Sequence, residues 1–448
     1  MRRLNVAFAG AMAMLAWTAA ASEPWTLPRA LDEAYKSNPD VRLARQRVAA
    51  AQAGLEQANA AAGPRLQFQS SYTRTDNPMM VFGSILNQRA YPYPPEAPLD
   101  FNDVPDVDNV NVKGLATMPL YAGGRISANR NAARASVDAS AEESHAVRNA
   151  LAFEVTRAFH TIQKTRSFVG AADAAVNSLE ENLSIARKRL EAGTLLKTDV
   201  LDFEVRLAQA REDLVRARNA QTLAVRVLRN LLGVEEADFT VSSEVPKVAR
   251  PATEGFASRP ELAAARLRER AASEQLRSAR GARLPTLSAF GSLDYDYGWE
   301  YDSDGSSYTV GALLQWDIWD GNSTRAKVRE ARANLESARE EQRRLRFALD
   351  LEAEEARLAL QSAEERLAAS EKAVAQAEES VTMNRSRFEQ GAALSSQLID
   401  AQTALVAARV RRAEAETDQR IAIAALRKAY GFPQLDANPA ASQETDSR

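Results

Sequence analysis

The chain repeats itself, and the repeat confines it to architectures that two similar halves can build side by side. Residues 37–41 (S-N-P-D-V) match 258–262 (S-R-P-E-L), and Pro64 matches Pro285, both at a shift of 221. Farther along the shift falls to 198: Tyr121 and Gly123 match Trp319 and Gly321, residues 189–193 match 387–391, and 228–233 match 426–431. The difference, 23 residues, is extra in the first half, and a Pro- and Asp-rich loop at about residues 76–108 accommodates it. The repeat therefore divides the chain into a first half at 22–234, a linker at 235–256 and a second half at 257–432, with a polar tail at 433–448 expected to be disordered.

Each half reads in the same order: helix, strand pair, very long helix, returning helix. From Arg125 to Ala192 there is no proline and only Gly170, a run of about 68 residues and roughly 100 Å as helix. Ala, Glu, Arg and Leu dominate outside residues 64–121 and 285–321, which suits long helices. Ile162, Val169, Val176, Leu183 and Leu190 recur every seven residues, and the second half repeats the phase with Leu360, Leu367, Val374, Val381 and Phe388. The returning helices carry Val200, Leu207, Leu214 and Leu228 in one seam, and Ala401, Ala408, Ala415, Ala422 and Ala429 in another. Strict sevens impose left-handed supercoiling, and small seam residues let backbones approach closely. Residues 29–62 and 195–231, stacked end to end, nearly equal the long helix in length, so two shorter helices are expected to run beside it.

Residues 1–21 read as a secretory signal: Arg2 and Arg3, an apolar core from Leu4 to Trp17, then Ala19-Ala20-Ala21 before a mature start near Ser22. An uncleaved anchor is the alternative, but the run is short and ends in small residues. There is no cysteine, which excludes disulfides and thiolate metal sites. Without Arg2 and Arg3 the formal charge moves from −3 to −5, which argues against a nucleic-acid partner. No second apolar stretch of about 18 residues follows, so a mature chain that enters a membrane must do so as strands.

Four segments alternate with period two, at about 65–75, 109–120, 286–297 and 307–319. Leu66, Phe68 and Tyr72 oppose Gln67, Gln69 and Thr73, while Val110, Val112, Ala116, Met118 and Leu120 oppose Asn111, Lys113 and Thr117. Leu287, Ala289, Leu293, Tyr295 and Tyr297 oppose Ser288, Asp294 and Asp296, and Tyr308, Val310, Ala312, Leu314, Trp316 and Ile318 oppose Thr309, Gln315 and Asp317. Each run is about as long as a tilted bilayer-crossing strand needs to be. Tyr72, Tyr295, Tyr297, Tyr308, Trp316 and Trp319 lie towards the strand ends, as in an interfacial aromatic girdle in contact with lipid. A soluble four-stranded sheet packed on helices would alternate in the same way. In lipid, four strands cannot close a barrel, so copies must associate, two giving eight strands and three giving twelve.

With that order of elements, the chain resembles the TolC-like outer-membrane efflux family over essentially its whole mature length. The residues that carry the resemblance are the opening 27–39 (L-P-R-A-L-D-E-A-Y-K-S-N-P) and the junctions Leu120-Tyr121-Ala122-Gly123-Gly124 and Ile318-Trp319-Asp320-Gly321. To these add the tips R-L-E-A-G-T at 189–194 and R-F-E-Q-G-A at 387–392, followed by Asp199-Val200-Leu201-Asp202 and Gln397-Leu398-Ile399-Asp400. The resemblance implies a mainly α fold with a membrane β-barrel: a homotrimer with a twelve-stranded barrel in the outer membrane of a Gram-negative bacterium. It further implies a periplasmic helical tunnel docked to a periplasmic adaptor and an inner-membrane pump, and no cofactor.

By the same resemblance Asp199, Asp202, Gln397 and Asp400 stand where the family places its periplasmic gate. Gln397 replaces an acid in the inner pair, which leaves Asp400 as a single acidic ring. Three carboxylates converging on an axis repel one another and attract a cation. Arg189, Gly193, Arg387 and Gly391 stand where the family docks its adaptor, although a C-terminal helix charge before a turn glycine accounts for much of that pattern.

His145 and His160 lie fifteen residues apart on one long helix and are expected at the surface, so no metal site is expected. No P-loop run occurs, Gly123-Gly124 lacks the third glycine of a dinucleotide fingerprint, and no serine sits in a triad arrangement. The chain is therefore expected not to be an enzyme. The alternative function is a periplasmic coiled-coil adaptor or scaffold, which would share the hairpins but has no need of two strand pairs with aromatic ends. The acidic loop at 100–108 hints at cation attraction at the outer mouth.

Overall fold

The computed structural model describes residues 24–91, 103–234, 240–244, 246, 248–251 and 255–435. The signal segment, residues 100–102 of the acidic loop, the 235–239 connection and the tail beyond 435 lie outside them. The first half runs α1 (Leu27–Ser37), α2 (Pro39–Ala60), β1 (Arg65–Thr75), α3 (Pro78–Asn87), β2 (Val107–Tyr121), α4 (Arg125–Glu191) and α5 (Lys197–Leu232). The second runs α6 (Pro260–Gly281), β3 (Thr286–Gly298), β4 (Ser303–Gln315), α7 (Ser323–Glu389) and α8 (Ser395–Ala429).

Several of these bounds differ from the periodicity. The segment expected as one helix at 29–62 breaks at Asn38, because Pro39 lacks an N–H and restricts the preceding residue to extended backbone. Asn38 then caps the new start by accepting from the backbone N–H of Asp40 and Val41. The fourth strand ends at Gln315 rather than near 319, although the apolar alternation continues through Trp316 and Ile318. The Pro- and Asp-rich loop contains α3, started by the same device: Asn77 accepts from Met79 and Met80, with Pro78 at the first helical position. The tail does not detach at Pro433, since Gln434 is buried and donates to the Ala424 carbonyl and Leu435 packs on the first-half core.

The two long helices lie with shorter partners along them, α2 and α5 on α4, and α6 and α8 on α7, while α6 and α8 also pack on α4. The seam residues are where the core lies. Ile162, Val176, Leu183, Leu360, Val374 and Phe388 are buried, as are all five seam alanines of α8. The duplication persists in the packing, since Val155, Ala158, Ile162, Ala224 and Leu228 occupy one cluster while Ala353, Ala356, Leu360, Ala422 and Leu426 occupy its counterpart.

The end-to-end stacking is stitched by one residue in each half. In the first, Asn38 Nδ2 donates to the Leu231 carbonyl at the end of α5, 2.9 Å away, while its own oxygen caps α2. The matching residue in the second half is Arg259. It donates to the Lys428 and Ala429 carbonyls at the end of α8 (3.0 and 3.3 Å) and to both oxygens of Glu261, and it pairs with Glu352 at 3.1 Å. An uncharged clasp in one half is thus a buried ion cluster in the other.

His145 is exposed, but His160 is 4% exposed and packs edge-on against Phe159, contrary to the surface expectation for both. Burial and the nearby Arg420 charge push its pKa down to about 4, so it is neutral when folded at neutral pH. Its folded pKa lies below the unfolded value near 6.5, so the folded state binds fewer protons between the two. Stability therefore falls as pH drops from about 6.5 to about 4, by roughly 3 kcal/mol per protomer, since each pKa unit corresponds to about 1.4 kcal/mol. Urea unfolding at pH 7 and pH 4.5 checks this, and His160→Gln is expected to flatten that part of the profile.

Candidate functional site

The sheet occupies one end of the helices, and its strands pair antiparallel in the order β1-β2-β3-β4. The register brings one side-chain face together across all four strands: Tyr72, Val110, Tyr297 in one row, and Leu66, Ala116, Gly291, Val310 in another. Leu66, Phe68, Leu293, Tyr308, Val310 and Leu314 on this face are all exposed in the single chain. Water-soluble domains rarely expose a contiguous apolar sheet face of this kind, and it matches the lipid side of a barrel. No described helix is long and apolar enough to cross a membrane. Among the described residues the outer edges of β1 and β4 have no partner strand, which lipid does not tolerate.

Aromatics mark two levels on the apolar face. At the end far from the helices, Trp299 stands 5.8 Å from Tyr72 and 5.6 Å from Tyr297 between ring centroids, with Tyr295 nearby; at the helix end stand Tyr121, Trp316 and Trp319. From the Tyr295 row, which pairs with Ser306, to Trp316 is about ten residues, or roughly 33 Å of strand. At a tilt of 35–45° that spans about 25 Å, the height of the apolar band in outer-membrane barrels. Of the six residues expected as a girdle, Tyr308 pairs with Leu293, two residues along β4 from the Tyr295 row. Trp299 and Tyr121 stand at these two levels without having been singled out by the alternation, one sitting in a turn and the other beyond a register shift.

The opposite face is polar. Lys113 pairs with Asp294 at 3.3 Å, and Asn109 and Asn111 both donate to Asp296, at 2.7 and 3.0 Å.

At the other end of the molecule the two hairpins finish side by side. Gly193 and Gly391 (φ +70° and +75°) provide the left-handed residue that ends each long helix. Asp199 accepts from the Leu196 N–H and Gln397 from the Leu394 N–H, so these two candidate gate residues cap α5 and α8 at matching positions. Asp199 has a second role, accepting from the Ser395 hydroxyl of the other hairpin. Asp202 and Asp400 remain exposed, one turn further along each helix.

Arg189 also reaches across: it donates to the Phe388 carbonyl at 2.6 Å, and its guanidinium sits 5.1 Å from the centre of the Phe388 ring. Its second-half counterpart, Arg387, is exposed. Beneath these links Phe388 meets Phe203 at 6.0 Å within a shared core that includes Val200, Leu398 and Ile399. One step further along, Arg385 and Gln402 both bond Ser178, at 3.2 and 2.9 Å. The tip is thus a clasp between hairpins, made from Arg189, Asp199 and Ser395 around two phenylalanines. Leu196 and Leu394, which match at the shift of 198, project into solvent at the two turn apices and were not singled out from the sequence.

The geometry agrees with comparisons to known proteins. The profile described as "Outer membrane efflux protein" matches residues 30–234 and 254–432. The outer membrane efflux protein BepC of Brucella suis biovar 1 is 24% identical over 293 residues, 62% of each chain, so the match spans less than two thirds of that relative's length. A solved membrane protein from Pseudomonas aeruginosa superposes with a TM-score of 0.80 at 22% identity, covering 92% of each chain. The CmeC outer membrane channel of Campylobacter jejuni superposes at 0.79 and 15% identity, covering 99% of this chain and 97% of that one. The fold is therefore TolC-like, long helices of a tunnel carrying strands contributed to a barrel, which sets aside the adaptor reading. With a profile match across both halves, the chain belongs to the outer membrane efflux protein family.

Proposed function

We propose that three copies of this chain close their sheets into one twelve-stranded barrel in the outer membrane and align their long helices into a tunnel across the periplasm. The assembly is a passive export duct. The observation that carries this reading is the exposed apolar face on a sheet with two open edges, mounted at the end of helices about 100 Å long. The polar face then lines a wet lumen. The family match and the BepC relative support the same reading. Energy comes from an inner-membrane pump, reached through a periplasmic adaptor that docks at the hairpin tips around Arg189, Gly193, Arg387 and Gly391, with Leu196 and Leu394 as exposed apolar contacts.

The tip also holds the gate in this reading. Asp199 and Gln397 are committed to caps, so the exposed Asp400, with Asp202 beside it on the first hairpin, carries the charge of the constriction. Single-channel recording in planar bilayers tests the function. The wild type is expected to show low resting conductance, and Asp400→Ala is expected to raise it severalfold and weaken cation selectivity. A protein that forms no channel in either form contradicts the duct.

A further inference from the structure

Helix α3, within the extra segment of the first half, lies on the polar face of the sheet, the face that the trimeric duct proposed above turns inward. Three observations fix α3 there. Val81 and Ile85 bury against Val107, which shares its side of β2 with Asn109 and Asn111. Gln88 is fully buried, donating to the Asp108 carbonyl (2.8 Å) and the Asn109 side chain (2.9 Å), and its own carbonyl accepts from the Ser303 hydroxyl at 2.7 Å. A Cβ at Gly298 would collide with Gln88, and one at Gly305 with the Asn87 carbonyl. Gly298 and Gly305 share their strand faces with Asp296, so the glycines open a recess in the polar face that the end of the helix fills.

Arg89 completes the anchor by donating to the Ser306 carbonyl at 3.0 Å while holding a left-handed backbone (φ +56°) that a side chain adopts only at some cost. Thr75, Val107, Gly298 and Ser303 mark the strand ends remote from the long helices, so α3 lies at the outer mouth. It is held as a fixed element with one apolar side against the sheet.

A second apolar side faces away from the sheet. Met79 and Leu86, two turns apart on one face of the helix, are 81% and 46% exposed. Lipid is on the other side of the sheet, so it does not reach this face. Barrel geometry leaves little room for anything except further copies of the same helix. Twelve strands about 4.8 Å apart, tilted about 40°, give a barrel roughly 24 Å across. A helix with side chains is about 10–12 Å wide, so three of them on the inner wall meet near the axis.

We propose that the Met79–Leu86 faces of three α3 helices pack against one another on the threefold axis and form an apolar constriction at the outer mouth. This constriction is separate from the acidic tip at the opposite end. An apolar ring of this kind resists water and ions while it is closed and yields to a bulky or apolar solute pressing from within.

The cysteine-free chain makes the test direct. Met79→Cys, in protein reconstituted in lipid vesicles, is treated with a short two-headed maleimide, and Leu293→Cys on the lipid face serves as the comparison. The mass of the detergent-solubilised assembly is measured in parallel by light scattering. The expected result is a three-protomer mass with up to two thirds of the Met79→Cys chains in covalent dimers and almost none for Leu293→Cys. A three-protomer mass with Met79→Cys chains left uncoupled, or coupled no more than Leu293→Cys, overturns the constriction while leaving the duct intact. A mass below three protomers overturns the duct and the constriction with it.

Discussion

Arg259→Ala is expected to lower the unfolding free energy by about 3–5 kcal/mol, the range for removing one partner of a buried ion cluster. The Arg259 side chain is 4% exposed, and its loss leaves Glu261 without its hydrogen-bonding partner, leaves Glu352 held by Lys428 alone (2.9 Å) and takes a donor from the Ala429 carbonyl. Burial pushes the Glu261 carboxyl up, but the Arg259 hydrogen bonds and charge outweigh it, so its pKa sits below the usual value. That part of the stability is present above the unfolded pKa and is lost as pH falls through the folded one, so the variant should differ least from wild type in acid. Asn38→Ala, at the matching place in the first half, removes an uncharged cap and one hydrogen bond and should cost only about 1–2 kcal/mol. Denaturant unfolding of both variants at pH 7 checks the ordering. Equal losses would show that the buried charges add nothing beyond the cap.

Phe388→Ala is expected to loosen the tip without unfolding the rest. Phe388 is buried against Phe203, and its ring and carbonyl both hold Arg189. Truncating a buried phenylalanine costs about 3–5 kcal/mol, and here the cost falls on a region whose contacts are local to the two hairpin ends. Hydrogen exchange of the amides at 176–210 and 381–402 should therefore quicken by about 10²–10⁴-fold. The cluster around Phe159 and Leu228, at the far end of α5, should not change. The separation follows from the architecture, in which long helices carry distinct packed clusters along their length, as in repeat proteins. Uniform quickening along both halves would mean that the tip and the rest of the molecule unfold as one unit.

Much of this architecture was legible because period-seven seams and period-two strands are both one-dimensional signals. Ile162, Leu183, Leu360 and the seam alanines of α8 could be placed in the core from spacing alone, and the duplication tied the halves together. What spacing hides is the identity of the neighbour. His160 reads as a polar residue on a long helix, and only the packing around Phe159 and Arg420 turns it inward. Asp199 reads as an acid near an axis, whereas its cap and its bond to Ser395 depend on how two separate hairpins lie together. Helix α3 was hidden by its length, since ten residues ahead of a proline-rich stretch are too few for periodicity to register. Its Asn77-Pro78 start, the same device as Asn38-Pro39, was the available signal.

The central claim is that the chain is one third of a membrane duct, and the mass of the detergent-extracted mature protein tests it most directly. Light scattering should give three protomers per particle. Circular dichroism should be dominated by helix with a minor strand component that outlasts the helix on heating. A protein that stays in solution without detergent as a monomer or dimer would contradict the account, because the exposed face from Leu66 to Leu314 would then have no lipid to meet.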